Sequence, residues 1–336
     1  MKIIARSIAL ATLVVSVVSL AVLTASPVNA ETTSSGAAAQ GLQISPALVE
    51  LNAEPGKTYT IKLTVTDVTI TDLVYTTAIN DFNAKDETGS PQVLLDSALP
   101  QSASITSWLT VPQEFTLKSR QSKDIIAQIT VPLNAEPGGH YGVLRFAGRV
   151  PEVKDTGVGL SASAGTLLLI RVSGDIQEKA TLASAYTALD NKQSSFFERS
   201  PISFVTRIKN EGNIHIKPVG TIVIHDMFGH VVGTLPVNKE ASNVLPSSIR
   251  RFDASYQQSW MFGSYSADLT LGYGTSGQVI TSTINFWVIP YKLIIVALLV
   301  LTTLIFILRT LVKRYNRYII NKASHTHASK TKNHKK

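Results

Sequence analysis

The sequence predicts an all-β protein of two immunoglobulin-like β-sandwiches in series, followed by one C-terminal transmembrane α-helix. Three observations predict it. Short apolar runs alternate with polar residues at a period of two between residues 42 and 289, punctuated by Pro, Gly, Asn and Asp. Leu293 to Leu308 is an unbroken run of apolar residues and Thr, and Tyr291 to Val312 reaches about 33 Å at ~1.5 Å per residue, enough for a bilayer core. The chain has no cysteine, so apolar cores and not disulfides must stabilise the sandwiches, and thiolate metal sites and a lipoprotein anchor are excluded.

Taken in order, Lys2 and Arg6 precede an apolar stretch from Ile8 to Leu23 and a small-residue exit, Val28-Asn29-Ala30. This predicts a signal peptide over residues 1–30, cleaved after Ala30. Residues 31–41, rich in Thr, Ser, Gly and Ala, read as a flexible leader. Strands at Leu48 to Leu51, Tyr59 to Val65, Leu73 to Ile79, Trp108 to Val111, Ile125 to Val131, Tyr141 to Phe146 and Leu167 to Val172 place a first sandwich in residues 42–175. Strands at Ile202 to Lys209, Val219 to His225, Val231 to Leu235, Ile249 to Tyr256, Tyr265 to Tyr273 and Val279 to Val288 place a second in residues 180–289. Pro151 to Ser163, rich in Gly and Ser, reads as a mobile hairpin loop of the first sandwich in preference to a linker. The same five residues stand at Asn52 to Gly56 and at Asn134 to Gly138, each before a strand; Pro followed by Gly predicts a type II turn used twice.

The apolar run has the flanks of a membrane span, residues 291–312. Trp287, Tyr291, Tyr315 and Tyr318 are the expected interfacial anchors, with Lys292 snorkelling outward. Residues 313–336 form a basic tail: after Ile307 there are nine cations and no acid, which puts the tail in the cytoplasm and the rest outside the cell membrane, in agreement with the signal peptide. The tail reads as a solvated topology determinant attracted to anionic lipid. The net charge of +8 divides unevenly, because residues 31–290 hold 19 Lys and Arg against all 23 acids, a net of −4. A nucleic-acid partner is therefore not expected; the lipid bilayer is.

Gly272, Gly274 and Gly277 match the spacing of a dinucleotide fingerprint, but a strand and not a helix follows, so a hairpin loop is expected. Asp81 to Glu87 resembles the start of a calcium loop, yet Lys85 and Gln92 occupy ligand positions. His140, His215, His225 and His230 lack the spacing of a zinc hydrolase and read as surface or strand-end residues. No nucleophile elbow or triad pattern occurs. The expectation is a non-enzyme with no cofactor, no metal and no catalytic residue. Trp108 alternates into an apolar strand and reads as core, whereas Trp260, flanked by Gln257, Gln258 and Ser259, is the candidate ligand contact.

The Ser107-Trp108 segment and the run from Pro132 to Phe146 resemble the peptidoglycan-binding-type domain of WxL-interacting proteins. Asn210 to Asn213, Val244 to Pro246, Gly263 with Tyr265, and Phe286 to Pro290 resemble the companion domain of the same family, so the resemblance spans about residues 42 to 320. It implies a membrane-anchored envelope protein that binds or scaffolds, holding cell-wall polymer with the first sandwich and another surface protein with the second. Two other classes remain open: an envelope glycan-processing enzyme, and a chaperone-like adaptor that binds clients by adding a strand to a sheet edge.

Overall fold

In the computed structural model, residues 41–95, 103–149 and 163–332 are described, with side chains to residue 320. The predicted signal peptide with its cleavage after Ala30, the leader to residue 40 and almost all of the loop from Pro151 lie outside the described residues.

Ten strands make the first sandwich: β1 (Leu42–Ser45), β2 (Leu48–Ala53), β3 (Thr58–Asp67), β4 (Leu73–Ala84), β5 (Pro91–Leu94), β6 (Leu109–Thr110), β7 (Glu114–Leu117), β8 (Ser122–Thr130), β9 (Gly138–Arg149) and β10 (Ser163–Val172). They form two sheets, one in the order β1-β3-β8-β6, the other β2-β10-β9-β4-β5 with β7 also on β4. Nine strands make the second: β11 (Ala180–Leu189), β12 (Lys192–Gln193), β13 (Phe196–Phe197), β14 (Ile202–Asn210), β15 (Val219–His225), β16 (Val231–Val237), β17 (Ile249–Tyr256), β18 (Gly263–Tyr273) and β19 (Gln278–Val288). Their sheets run β12-β11-β14-β17 and β13-β19-β18-β15-β16. Both sandwiches thus use one plan. In each, an early strand crosses to the second sheet and lies parallel to the last strand, β2 on β10 and β13 on β19. This is an immunoglobulin-type strand order.

Alternation accounts for the cores. Leu63, Val65, Tyr75, Leu117, Ile125, Ile129, Leu144 and Phe146 point between the first pair of sheets, joined by Trp108 as expected. Phe197, Phe204, Ile222, Leu269 and Phe286 fill the second, where the Phe286 ring packs on Phe197, Phe204 and Tyr265. Each such side chain removed from water stabilises the fold by roughly 1.5–3 kcal/mol. Both sandwiches belong to one compact unit.

Several sequence expectations need correction. The repeated pentapeptide is used in two ways. At Gly56, φ is +77° and the Lys57 N–H donates to Glu54 O at 3.2 Å, a type II turn. At Gly138 the chain already runs in β9, and the next N–H, that of Gly139, donates across to Asn213 O at 2.8 Å. The long-range bond replaces the local one. The expected strand at Trp108 shrinks to the two residues of β6, because a turn closed by Trp108 N–H to Ile105 O precedes it. Gly274 to Gly277 is a hairpin loop between β18 and β19, as expected.

The C-terminal helix α1 (Tyr291–Lys332) is longer than the predicted span, and residues 313–332 are helical where a solvated tail was expected. No Pro or Gly occurs after Pro290, so nothing in the sequence stops the helix. Its stretch from Tyr291 to Ile320 is long and apolar enough to cross a membrane and is wholly unburied by protein. Lys292 does not reach away: its Nζ pairs with Glu198 Oε2 at 2.6 Å and lies over the Tyr291 ring.

Candidate functional site at the joint between the sandwiches

Three of the segments singled out from the sequence, Pro132 to Phe146, Asn210 to Asn213 and Val244 to Pro246, meet in one place. The outer face of the β2–β10–β9–β4 sheet carries Phe82, Tyr141, Val143 and Leu169, apolar side chains on the face opposite the core. Leu245 of the second sandwich packs onto them. Next to this patch the Asn210 to Asn213 turn is bolted to the first sandwich. Asn213 accepts from Gly139 N–H and from Gln177 N–H, and its Nδ2 donates to Pro137 O and Asp175 O. Gly138 has φ +127°, and an added Cβ would stand 2.7 Å from Asn213 O, so glycine is required at this approach.

Tyr141 is the centre of the joint. Its hydroxyl accepts the backbone N–H of His215 at 2.8 Å and lies 3.1 Å from His215 Nδ1. The hydroxyl thus meets both the backbone and the ring of His215, and one phenol ties the two sandwiches at two atoms. Burial pushes the His215 pKa down to about 4, against the attraction of Glu50 and with the help of Lys217 and Arg171. Burial likewise raises the Tyr141 hydroxyl and lowers His140, whose Nε2 lies 2.8 Å from Glu136 O and whose ring packs 4.5 Å from that of Trp108.

Ion pairs frame the same joint. Glu50 of β2 accepts from Lys217 Nζ at 2.6 Å and from Asn243 Nδ2 at 2.8 Å. Glu87, in the β4–β5 turn, takes both arms of the Arg207 guanidinium, and its backbone O accepts Arg251 N–H at 2.7 Å. The Arg207 fork holds the Glu87 carboxyl below the usual range. Glu178 ties the connecting segment to both sides, through Arg171 at 3.4 Å and Thr275 N–H at 2.6 Å. Three grooves open along the joint, of about 420, 350 and 520 Å³. The first is lined by Glu50, Leu51 and Asn52 of β2 with Arg171, Glu178, His215 and Lys217.

One edge beside these grooves is open. β2 ends its sheet and pairs with β10 alone among the described strands. Leu167 N–H donates to Ala47 O and Ser173 N–H to Ala53 O, so the odd-numbered residues face β10. Strand alternation then turns the N–H and C=O of Leu48, Glu50 and Asn52 to the outer edge. Such a row of groups is what an added strand pairs with.

The sequence-stated candidates lie elsewhere. Trp260 is 64% exposed in the loop between β17 and β18, Trp287 stands half-exposed on β19, and Tyr291, Tyr315 and Tyr318 are exposed on α1. Local sequence pattern does not reveal the joint: His140 is buried near the start of β9 against Trp108, and His215 is half-buried beside Tyr141, so neither is a surface histidine; the signal that could have found the joint is the pair of segments Pro132 to Phe146 and Asn210 to Asn213. His225 and His230 do lie at strand ends, beside Asp268 and Asp226. Asp81, the first residue of the rejected calcium loop, is buried in β4 and accepts from Ser104 Oγ at 2.9 Å.

No family model matches this chain, and no curated protein does. Solved structures give distant likenesses. The chain is similar to the class 5 fimbriae chaperone CfaA, at 13% identity and a TM-score of 0.39, over 73% of this chain and 99% of that one. It is similar to the E. coli chaperone DraB at 15% identity and a TM-score of 0.33, over 73% and 96%. A third likeness is to the Salmonella enterica complex of the SafA pilin with the SafB chaperone, at 10% identity and a TM-score of 0.34, over 74% and 96%.

Proposed function

We propose that the chain is a membrane-anchored envelope protein that holds a surface-protein partner by adding an extended segment of it to the open edge of β2, with no turnover. The observation that carries this is the edge itself: Leu48, Glu50 and Asn52 present unpaired backbone groups beside grooves lined by Lys217, Arg171, Glu178 and His215. The joint supports it by holding the second sandwich in place as the far wall of these grooves. Placement outside the cell is part of the proposal, supported by the expected signal peptide, the apolar α1 and the cation-rich tail. Holding a surface protein is common to the likeness to WxL-interacting proteins and to the adaptor reading; wall polymer is the competing ligand.

The test is the full chain in lipid nanodiscs, offered envelope proteins and isolated wall, as wild type and as Leu48→Pro. Position 48 directs its N–H outward, so proline there removes an edge donor and leaves the β10 ladder whole. Protein capture by the wild type should fall about tenfold in Leu48→Pro, the equivalent of one hydrogen bond lost with a steric block beside it, while Tm changes little. Capture of wall alone, or equal protein capture by both chains, would sink the proposal.

A further inference from the structure

Where α1 leaves the second sandwich, six large apolar side chains stand in the open: Phe196, Met227, Phe228, Trp260, Phe262 and Trp287, at 48%, 48%, 77%, 64%, 50% and 50% exposure. They come from four segments that the strand registers bring together. Ser264 faces Trp287 and Gly263 faces Val288 across β18 and β19, and Phe196 of β13 faces Trp287 from the other side. His225 pairs with Ser266, so the turn after β15, which carries Met227 and Phe228, runs alongside the start of β18. Met227 lies directly on Gly263, where an added Cβ would come within 1.7 Å of its Cε. Trp260 and Phe262 immediately precede that glycine. Tyr291, the first residue of α1, follows Val288 by three residues, about 10 Å of chain at most.

These side chains are held outward by structure. Asp226 Oδ1 accepts the N–H groups of Phe228 and His230 at 2.9 Å each, and Gly229 N–H donates to Asp226 O at 3.0 Å, which fixes the turn with Phe228 at its tip. Met261 is buried in the core while its neighbours Trp260 and Phe262 turn out, and Phe262 N–H donates to the Tyr265 hydroxyl. The acids here are engaged, Asp226 by its own turn and Glu198 by Lys292, with Arg199 exposed beside them.

We propose that this collar is a lipid-contacting foot. Its rings enter the boundary between headgroups and acyl chains of the bilayer that α1 spans, and so fix the second sandwich upright on the membrane. Continuity selects lipid as the occupant: the patch surrounds the first residue of the span, and Trp and Phe beside a Tyr anchor are the residues that partition to that depth. Trp260 then serves as a membrane anchor and not as a polymer contact. The proposal rests on the reading of α1 as a transmembrane span.

Depth-dependent quenching tests it. The full chain as Trp287→Phe keeps Trp260 and the buried Trp108 as its tryptophans. Reconstituted in phosphatidylglycerol–phosphatidylcholine vesicles brominated near the headgroup, its emission should fall by about a third or more, while the chain with Trp260→Phe and Trp287→Phe, reporting Trp108 alone, stays unchanged. Adding Phe228→Ser and Phe262→Ser should restore the Trp260 emission. Unquenched Trp260 in a chain that resists alkaline extraction overturns the collar and leaves the span standing. A chain released by alkaline carbonate overturns both. Unquenched Trp260 in a chain that cross-links as a dimer assigns the patch to a second copy, which also overturns the proposal.

Discussion

Replacing Tyr141 by alanine is expected to make the two sandwiches unfold separately. Tyr141 is almost wholly buried, but on the outer face of its sheet, so its loss spares the first core. What disappears is the packing of its ring against Phe82 and His215 and both hydrogen bonds to His215. Truncating a buried aromatic costs about 3–5 kcal/mol, and here that cost falls on the joint. Urea titration of the full chain reads it directly, because the first sandwich contains Trp108 and the second Trp260 and Trp287. With Trp287→Phe and Trp260→Phe as background, fluorescence follows the first sandwich, and circular dichroism follows both. Wild type should give coincident transitions and Tyr141→Ala two. A single coincident transition in Tyr141→Ala would show that the joint does not couple the sandwiches through this residue.

The second large effect is of pH. In the folded chain the His215 pKa lies at about 4, below its ordinary value of 6.5. Between those values the unfolded chain binds a proton that the folded chain refuses, so stability is fully present above pH 6.5 and falls as pH drops toward 4. At ~1.4 kcal/mol per unit, the loss is about 3 kcal/mol. His140, lowered by burial, contributes in the same direction. Glu50 also belongs to this site. Burial works against its ionisation, but the hydrogen bonds from Lys217 and Asn243 and the nearby cations outweigh burial and lower its pKa, so its own contribution is lost only at pH values below the ordinary carboxylate range. The slope between pH 6.5 and 5 is therefore an imidazole slope. His215→Gln, which cannot titrate, should lessen it in urea titrations across that window and leave the smaller part due to His140, and an unchanged slope would place the linked proton elsewhere.

How much of this was legible in the sequence depended on whether the determining contacts were local. Strands with large alternating side chains, such as Ile202 to Lys209 and Val219 to His225, stood out and occur as β14 and β15. β11 did not: Ala-Thr-Leu-Ala-Ser-Ala-Tyr-Thr-Ala-Leu alternates in burial only weakly, since small residues serve where β14 covers one edge. The short β1, β5 and β7 offered four residues each, too few for a period to emerge. The hairpin at Gly274 was legible because the strand after it was. The joint was not, because Tyr141 meets His215 across 74 residues, and Glu87 meets Arg207 across 120. Periodicity carries no information about such pairs. Asn210 closes β14 and the bend after it reaches the first sandwich through Asn213, while Val244 bridges to Ile216 and its neighbour Leu245 packs on the first sandwich, contacts that local pattern does not encode.

The open edge of β2 likewise could not be read from composition, since Leu48 to Ala53 looks like any half-buried strand; only the sheet order leaves it with one neighbour. That edge is the central claim, and amide hydrogen exchange of the full chain in nanodiscs, alone and with its captured partner, tests it residue by residue. Alone, the amides of Leu48, Glu50 and Asn52 should exchange quickly while those of Val49 and Leu51, bonded to β10, are protected. On capture the three outward amides should become protected with the rest of the strand. A partner that binds while Leu48, Glu50 and Asn52 go on exchanging as fast as in the free chain would contradict strand addition at this edge.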